Sequence, residues 1–361
     1  MLEEQNTLGV DIQTLLKTVV KNKASDLHIV SRSAPQIRID GTLVPLQIKD
    51  LTGKDIELLC YAILTDAQKS ELEENKELDF ALELPNIGRF RANYYYTMNG
   101  DLAAAFRIIP IEIPSLDDLK APKIFKEIVK RERGLILVTG PTGSGKSTTL
   151  AAMLNEVNET VRKHIITVED PVEFVHRNKL ALFSHRNIGT DTQSYARALK
   201  YALRQDPDII LIGEMRDRET ISIAITAAET GHLVFGTLHT NSAIQTISRI
   251  TDSFEGGEQT QIRNMLSVSL TAIISQTLLP KNGGGRLAVH EILVNNHAIA
   301  NLIREDKTPQ IYSQMQLNQA ETGMTTQTQS MVKAVKANLI TKDNAIRYST
   351  NMQEIVPILG A

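Results

Sequence analysis

The chain has 361 residues, a length at which one ordinary hydrophobic core gives way to two domains. A hydrophobic content of 42% with 22% charged residues is that of a globular protein, and a net charge of −3 gives no global attraction to nucleic acid or anionic lipid. The single cysteine, Cys60, excludes an internal disulfide and a cysteine-rich zinc site. The acidic start Met1-Leu2-Glu3-Glu4-Gln5 lacks the basic and apolar regions of a signal peptide, and no apolar run approaches the ~20 residues that span a bilayer. A cytoplasmic protein is expected, without direct membrane insertion, reaching a membrane through a partner.

In chain order, Leu15, Leu16, Val19 and Val20 recur at helical spacing. Alternating segments at 27–30, 36–39 and 88–96 predict strands, with Asp40-Gly41 as a hairpin turn. Helical periodicity returns at 55–64 and in the acidic stretch 66–77, so residues 1–109 read as a small α+β domain. Pro110 and Pro114 bracket Ile111-Glu112-Ile113, a stiff extended connector that marks a boundary over 110–118. From 119 to 295, strands predicted at 135–139, 165–168, 208–212 and 232–236 alternate with helices. That order predicts an α/β architecture, a mostly parallel sheet with helices on both faces. Gly283-Gly284-Gly285 reads as a hairpin tip, and residues 296–361 as a helical C-terminal subdomain.

The most specific pattern is Gly140-Pro141-Thr142-Gly143-Ser144-Gly145-Lys146-Ser147-Thr148, a P-loop between the apolar run Leu135–Val138 and a helical pattern through Leu150, Met153, Leu154, Val157 and Val161. Backbone N–H groups of Gly143 to Lys146 can point into one concavity, where the helix dipole adds positive potential. Lys146 supplies charge to the β/γ-phosphates and the Ser147 hydroxyl is a magnesium ligand, so ATP and Mg2+ are the expected ligands.

Hydrolysis needs carboxylates beside that cradle to orient water and manage magnesium. Asp208-Ile209-Ile210-Leu211-Ile212-Gly213-Glu214 places Glu214 after an apolar strand, at the edge where parallel sheets gather functional residues; Gly213 stands where an acidic pair would have its first member. Glu169-Asp170-Pro171-Val172-Glu173 presents Glu169 and Glu173 from a rigid loop; the residues alone do not select the base. His232 and His239 flank Leu233–Leu238, and their spacing fits no zinc pair. His239 is the better sensor of the γ-phosphate, while His232 is a nucleotide contact or a hydrogen-bonded core residue. Arg89 and Arg91 share one face of a strand, with Phe90 and Ala92 on the other. Two adjacent guanidinium groups repel unless an anion joins them. A neighbouring subunit's triphosphate would do so, giving arginine fingers in trans, whereas the alternative is a charged edge strand. Arg107 and Arg204 are further candidates.

Taken together these residues resemble one family, the secretion-type hexameric ATPases, and within it the PilT-type retraction motors of type IV pili. The resemblance covers essentially the whole chain. It rests on Ala24-Ser25-Asp26-Leu27-His28, Pro35 to Gly41, the P-loop, Glu169 to Glu173, Gly213-Glu214-Met215-Arg216-Asp217, and the histidine box from Ala228 to Asn241. It implies a PAS-like N-terminal domain, a RecA-like motor core and a ring of six. It further implies that Glu214 is required for hydrolysis, that Glu169 activates water, and that the strand arginines approach nucleotide between domains or subunits. Assembly motors of the family usually add an N-terminal region and a four-cysteine zinc site, which Cys60 cannot build. The chain departs from the retraction pattern at Ala300, where the family has Arg, and at His185 and Asn187, where Gln and Glu usually flank Arg186.

The resemblance implies a mechanochemical ATPase at the cytoplasmic face of the inner membrane, acting on a platform protein to remove pilin subunits. A second reading is an accessory subunit of the PilU type, partnered with a paralogous pilus ATPase. A third, a secretion or conjugation translocase, finds no support for nucleic-acid handling in the charge or aromatic pattern.

Overall fold

The computed structural model describes residues 10–360 except 40, 99, 110 and 111. The start Met1–Gln5, Asp40 of the predicted hairpin turn, and Pro110 and Ile111 of the predicted connector lie outside the described residues. The chain divides into two compact units, Met1–Glu112 and Ile113–Ala361.

The first unit begins with α1 (Ile12–Lys21), whose apolar stripe Ile12, Leu15, Leu16 and Val19 is buried and whose N-terminus is capped by Asp11 accepting from the Thr14 N–H at 2.7 Å. Strands β1 (Asp26–Ile29), β2 (Gln36–Ile39) and β3 (Thr42–Pro45) follow, then α2 (Gly53–Tyr61) and α3 (Asp66–Asn75). Strands β4 (Glu77–Leu84), β5 (Gly88–Tyr96) and β6 (Leu102–Ile109) complete an antiparallel sheet of order β3-β2-β1-β6-β5-β4. The helix expected over 66–77 stops at Asn75, because Lys76 turns left-handed at φ 64° and feeds β4 directly. Phe80, Tyr94 and Phe106 pack edge-to-face in the core of this unit.

The second unit runs α4 (Ile124–Ile128), β7 (Gly134–Thr139), α5 (Lys146–Thr160), β8 (His164–Glu169), β9 (Leu182–Asn187), α6 (Tyr195–Ala202), β10 (Ile209–Ile212), α7 (Arg218–Glu229), β11 (Leu233–Leu238), α8 (Ala243–Thr251) and α9 (Gly257–Ser269). The hairpin β12 (Leu270–Pro280) and β13 (Arg286–Val294) closes it, with the predicted glycine tip between them. The sheet order is β13-β12-β7-β11-β10-β8-β9, parallel except for β13. Every residue of β7, β10 and β11 is buried. Alternation explains this: Leu135 and Leu137 enter one core with Ile210, Ile212 and Val234, while Ile136 and Val138 enter another with Leu211 and Phe235. Parallel order also carries all of these strands' C-terminal ends to one edge of the sheet.

The C-terminal part is helical: α10 (His297–Arg304), α11 (Ile311–Met315), α12 (Gln319–Thr322), α13 (Gln327–Lys336), α14 (Lys342–Tyr348) and α15 (Met352–Leu359). Ile299 and Ile303 of α10 join the core beside α9, whereas Met331, Ala345 and Ile355 cluster on Leu279 and Val289 of the hairpin. No helix among the described residues is long and apolar enough to cross a membrane.

Candidate functional site: a phosphate cradle at the C-terminal edge of the sheet

Strand β7 ends at Thr139, and the next turn wraps the start of α5. Gly140 and Gly145 adopt φ of 138° and 86°, and their lack of a side chain is enforced from below. A Cβ at Gly140 would lie 2.2 Å from the Gln276 carbonyl oxygen, and one at Gly145 2.9 Å from Gln276 Nε2. Gln276 of β12 is therefore the floor of the loop. Its Nε2 donates to the Ser144 carbonyl at 2.6 Å, and its Oε1 accepts from Thr149 Oγ1 at 2.7 Å and lies 3.1 Å from His290 Nε2. Burial holds His290 at a pKa of about 4, so it stays neutral and donates to that oxygen. Thr139 Oγ1 and Ser275 Oγ share a further buried bond at 2.8 Å. Sequence reading missed Gln276, since a lone glutamine in an apolar strand carries no motif; its burial within a strand was the available signal.

Lys146 begins α5 and donates to the carbonyls of Gly140 at 2.9 Å and Pro141 at 3.1 Å. Burial lowers its pKa, while the charges of Glu214 and Glu173 pull the other way. Both acids thus lie within electrostatic reach of the cradle lysine. Glu214 follows β10 and is gripped by Arg216, whose Nη2 donates to Oε2 at 2.6 Å, and by His239 Nε2 at 3.1 Å from Oε1. Burial works to raise the Glu214 pKa, but Arg216 and His239 outweigh it and hold the carboxyl below its ordinary range. Gly213 sits in a crowded spot: a Cβ there would lie 3.1 Å from both Glu169 Cα and Tyr195 Oη, so the first acid of a pair would need its neighbours to shift.

Glu169 ends β8, and its Oε2 lies 3.4 Å from the Glu173 N–H across the Asp170–Pro171 turn, whose peptide bond is cis. Asn187 Oδ1 pins this turn by accepting from the Val172 N–H at 2.7 Å. Between α5 and the ends of β8, β10 and β11 lies a cavity of about 30 Å³, lined in part by Ser147, Thr167, Glu169, His176, Gly213 and Thr237. That is room for about one or two waters.

The remaining predicted residues separate by position. His239 follows the C-terminal end of β11 and joins Glu214, but His232 precedes that strand, at the opposite edge, where its Nδ1 lies 3.1 Å from the Ala227 carbonyl. Six strand residues separate them, about 20 Å, so His232 is not part of its own chain's cradle. Arg204 lies between α6 and β10, also at that far edge. In the first unit, Arg89 and Arg91 share one face of β5 opposite the buried Phe90 and Ala92. Arg91 stands in register with Arg107 and lies 3.7 Å from Asp79, whereas Arg89 Nη1 is buried without a partner among the described residues. Arg107 Nε donates to the buried Asp26 at 2.8 Å, while the rest of its side chain stays largely exposed.

The comparisons with known proteins agree with this geometry. The family described as type II/IV secretion system protein matches residues 2–283. PilT, a type IV pilus retraction ATPase of Pseudomonas aeruginosa, is 49% identical over 93% of this chain and 97% of its own. A twitching motility protein of Neisseria gonorrhoeae is 48% identical over 96% of this chain and 93% of its own. A crystal structure of the pilus retraction motor PilT with bound ADP superposes with a TM-score of 0.90 at 46% identity, covering 96% of this chain and 98% of that one. The chain belongs to the type II/IV secretion system protein family and, within it, to the ATPases of the PilT type.

Proposed function

We propose that the chain is an ATP-hydrolysing motor that works as a ring of six, powers type IV pilus retraction and twitching motility, and acts at the cytoplasmic face of the inner membrane on a platform protein. The observation that carries this reading is the convergence of Lys146, Glu169, Glu214 and His239 at one edge of the sheet. The backbone amides of Gly143 to Lys146, with the Ser147 and Thr148 hydroxyls at the start of α5, hold the phosphates, with Gly140 and Thr142 shaping the turn. Lys146 exchanges its two carbonyl partners for the β/γ-phosphates.

Magnesium fits the donor set. Ser147 offers a hydroxyl and Glu214 a carboxylate kept ionised, but no cluster of three or more His, Cys, Asp or Glu among the described residues would cage an ion. A magnesium ion here would be held by Ser147 and Glu214 together with nucleotide and water, and would neutralise phosphate charge. Glu169 orients the attacking water and Glu173 adds negative potential behind it. His239 couples Glu214 to the γ-phosphate. Arg89 and Arg91 serve a neighbouring subunit's nucleotide, as would Arg107 and Arg204 on rearrangement at the ring contacts.

ATP turnover measured with magnesium, beside light scattering on the same sample, tests this reading. Wild type is expected to turn over at a roughly hexameric mass, and Glu214→Gln to bind nucleotide without turnover. Normal turnover in that variant removes Glu214 from the chemistry. Binding without turnover in wild type favours the accessory reading, to which Ala300, half-buried in α10, lends support.

A further inference from the structure

The cavity beside Ser147 and Glu169 is bordered by a hydrogen-bond chain whose direction a backbone group dictates. The His176 N–H, which can only donate, reaches His185 Nε2 at 3.1 Å. That nitrogen carries no hydrogen, so a neutral imidazole holds its hydrogen on Nδ1. Nδ1 lies 2.9 Å from Thr167 Oγ1, and there the ring donates and the hydroxyl accepts. A doubly protonated ring would set an N–H against the His176 N–H. Stacking fixes the ring plane: His176 lies parallel to Phe183 at 4.3 Å, and His185 stacks on Phe183 at 5.3 Å. Thr167 is fully buried, so its own hydrogen has no bulk water to bond and needs an acceptor in the cavity it lines or in the protein around it. The residue lines the cavity with Ser147 and Glu169.

We propose that Thr167, polarised by His185, is a positioning residue that donates its hydroxyl hydrogen to the attacking water in this cavity. The inference rests on Glu169 being the water activator. A water that receives one hydrogen bond from Thr167 and gives one to Glu169 keeps a lone pair for the γ-phosphorus. The bond from water oxygen to phosphorus forms, the bond from phosphorus to the bridging oxygen breaks, and its electron pair leaves on ADP. The water proton passes to Glu169. His185 and His176 touch no reacting atom and act through Thr167. A glutamine at 185 would work equally: its carbonyl accepts from the His176 N–H and its amide donates to Thr167. A glutamate there, an acceptor at both ends, would draw the Thr167 hydrogen away from the cavity.

Steady-state ATP turnover and ADP binding on Thr167→Val, Thr167→Ser, His185→Gln, His185→Glu and Glu169→Gln, each confirmed at the wild-type mass, test the proposal. Thr167→Val and His185→Glu are expected to lose tenfold or more in kcat with KM for ATP and ADP affinity within about threefold of wild type. Thr167→Ser and His185→Gln are expected to stay within about threefold in kcat. Full turnover by Thr167→Val overturns the proposal. So does equal loss in Thr167→Ser, which would make the role one of packing, or loss of ADP binding in Thr167→Val, which would make it part of the cradle. Full turnover by Glu169→Gln instead overturns the water-activator reading on its own account.

Discussion

The two edges of the ATPase sheet use the same residue types for opposite ends. At the N-terminal edge, His164 lies 3.0 Å from the Asp206 carbonyl, Lys163 bridges Glu132 and Asp208, and His232 meets the Ala227 carbonyl. Each of these polar groups is satisfied by a protein neighbour at the same edge of the sheet. At the C-terminal edge, Lys146 holds only carbonyls it can surrender, and Glu214, Arg216 and His239 form a cluster beside a cavity. Parallel strand order explains the asymmetry, because α5 and α7 both start at the C-terminal edge and bring their dipoles to it, α5 without a side-chain cap. Residue type does not assign a role in such a sheet; strand length and direction do.

The sharpest way to break this comparison is Gly140→Ala, which sets a methyl group against the Gln276 carbonyl oxygen. Nucleotide affinity is expected to fall by more than about a hundredfold in an ADP titration, since the nearest blocking atom is backbone and Gly140 holds φ at 138°. Unchanged affinity would mean the cradle is built differently. Next come the two histidines of β11. His239→Ala is expected to lose about tenfold or more in turnover with binding retained, and His232→Ala to stay within about twofold. Equal losses in both would erase the distinction between the edges, or show that a neighbouring copy supplies the missing contact.

Acid sharpens the comparison by probing the interior behind the cradle. Burial pushes His290 down to about 4 and His176 down to about 3, against about 6.5 in an unfolded chain. Between pH 6.5 and pH 4 the unfolded state therefore binds more protons than the folded state. Stability is full above pH 6.5 and falls as pH drops through that window, with a limit of about 1.4 kcal/mol per pH unit for each group. Denaturant melts from pH 7 to pH 4.5 are expected to show a shallower slope in His290→Gln than in wild type. The smallest effect belongs to the far edge. Lys163→Met removes two ion pairs of a half-buried lysine near the surface and is expected to cost about 0.5–1 kcal/mol in the same melts, with no change in turnover.

Much of this was legible in residues 134–295, because fully buried parallel strands write continuous apolar runs and the P-loop needs particular residues at particular places. What escaped notice shares a cause. Strand β9 is a polar edge strand whose Ser184, His185 and Arg186 give no apolar alternation, and β6 is rich in alanine, which favours no strand. Strand β4 continues an acidic stretch with helical periodicity and changes state only at Lys76. The strand expected at 232–236 spans Leu233–Leu238, so His232 and His239 fall at its opposite ends. Gln276, Thr167 and the His176–His185 pair work through contacts between strands distant in sequence. Their chemistry appears only once β12 lies beside β7 and β9 beside β8, in register.

The alternation along β7 has a consequence for how such a chain can diverge. Its consecutive residues enter two different cores, so a single-residue insertion or deletion would exchange the occupants of both and slide the cradle by about 3.3 Å. Substitution is open to this strand, but indels are closed to it. Length variation belongs at the Gly283–Gly285 tip, where no neighbouring atom stands within 4 Å of an added Cβ.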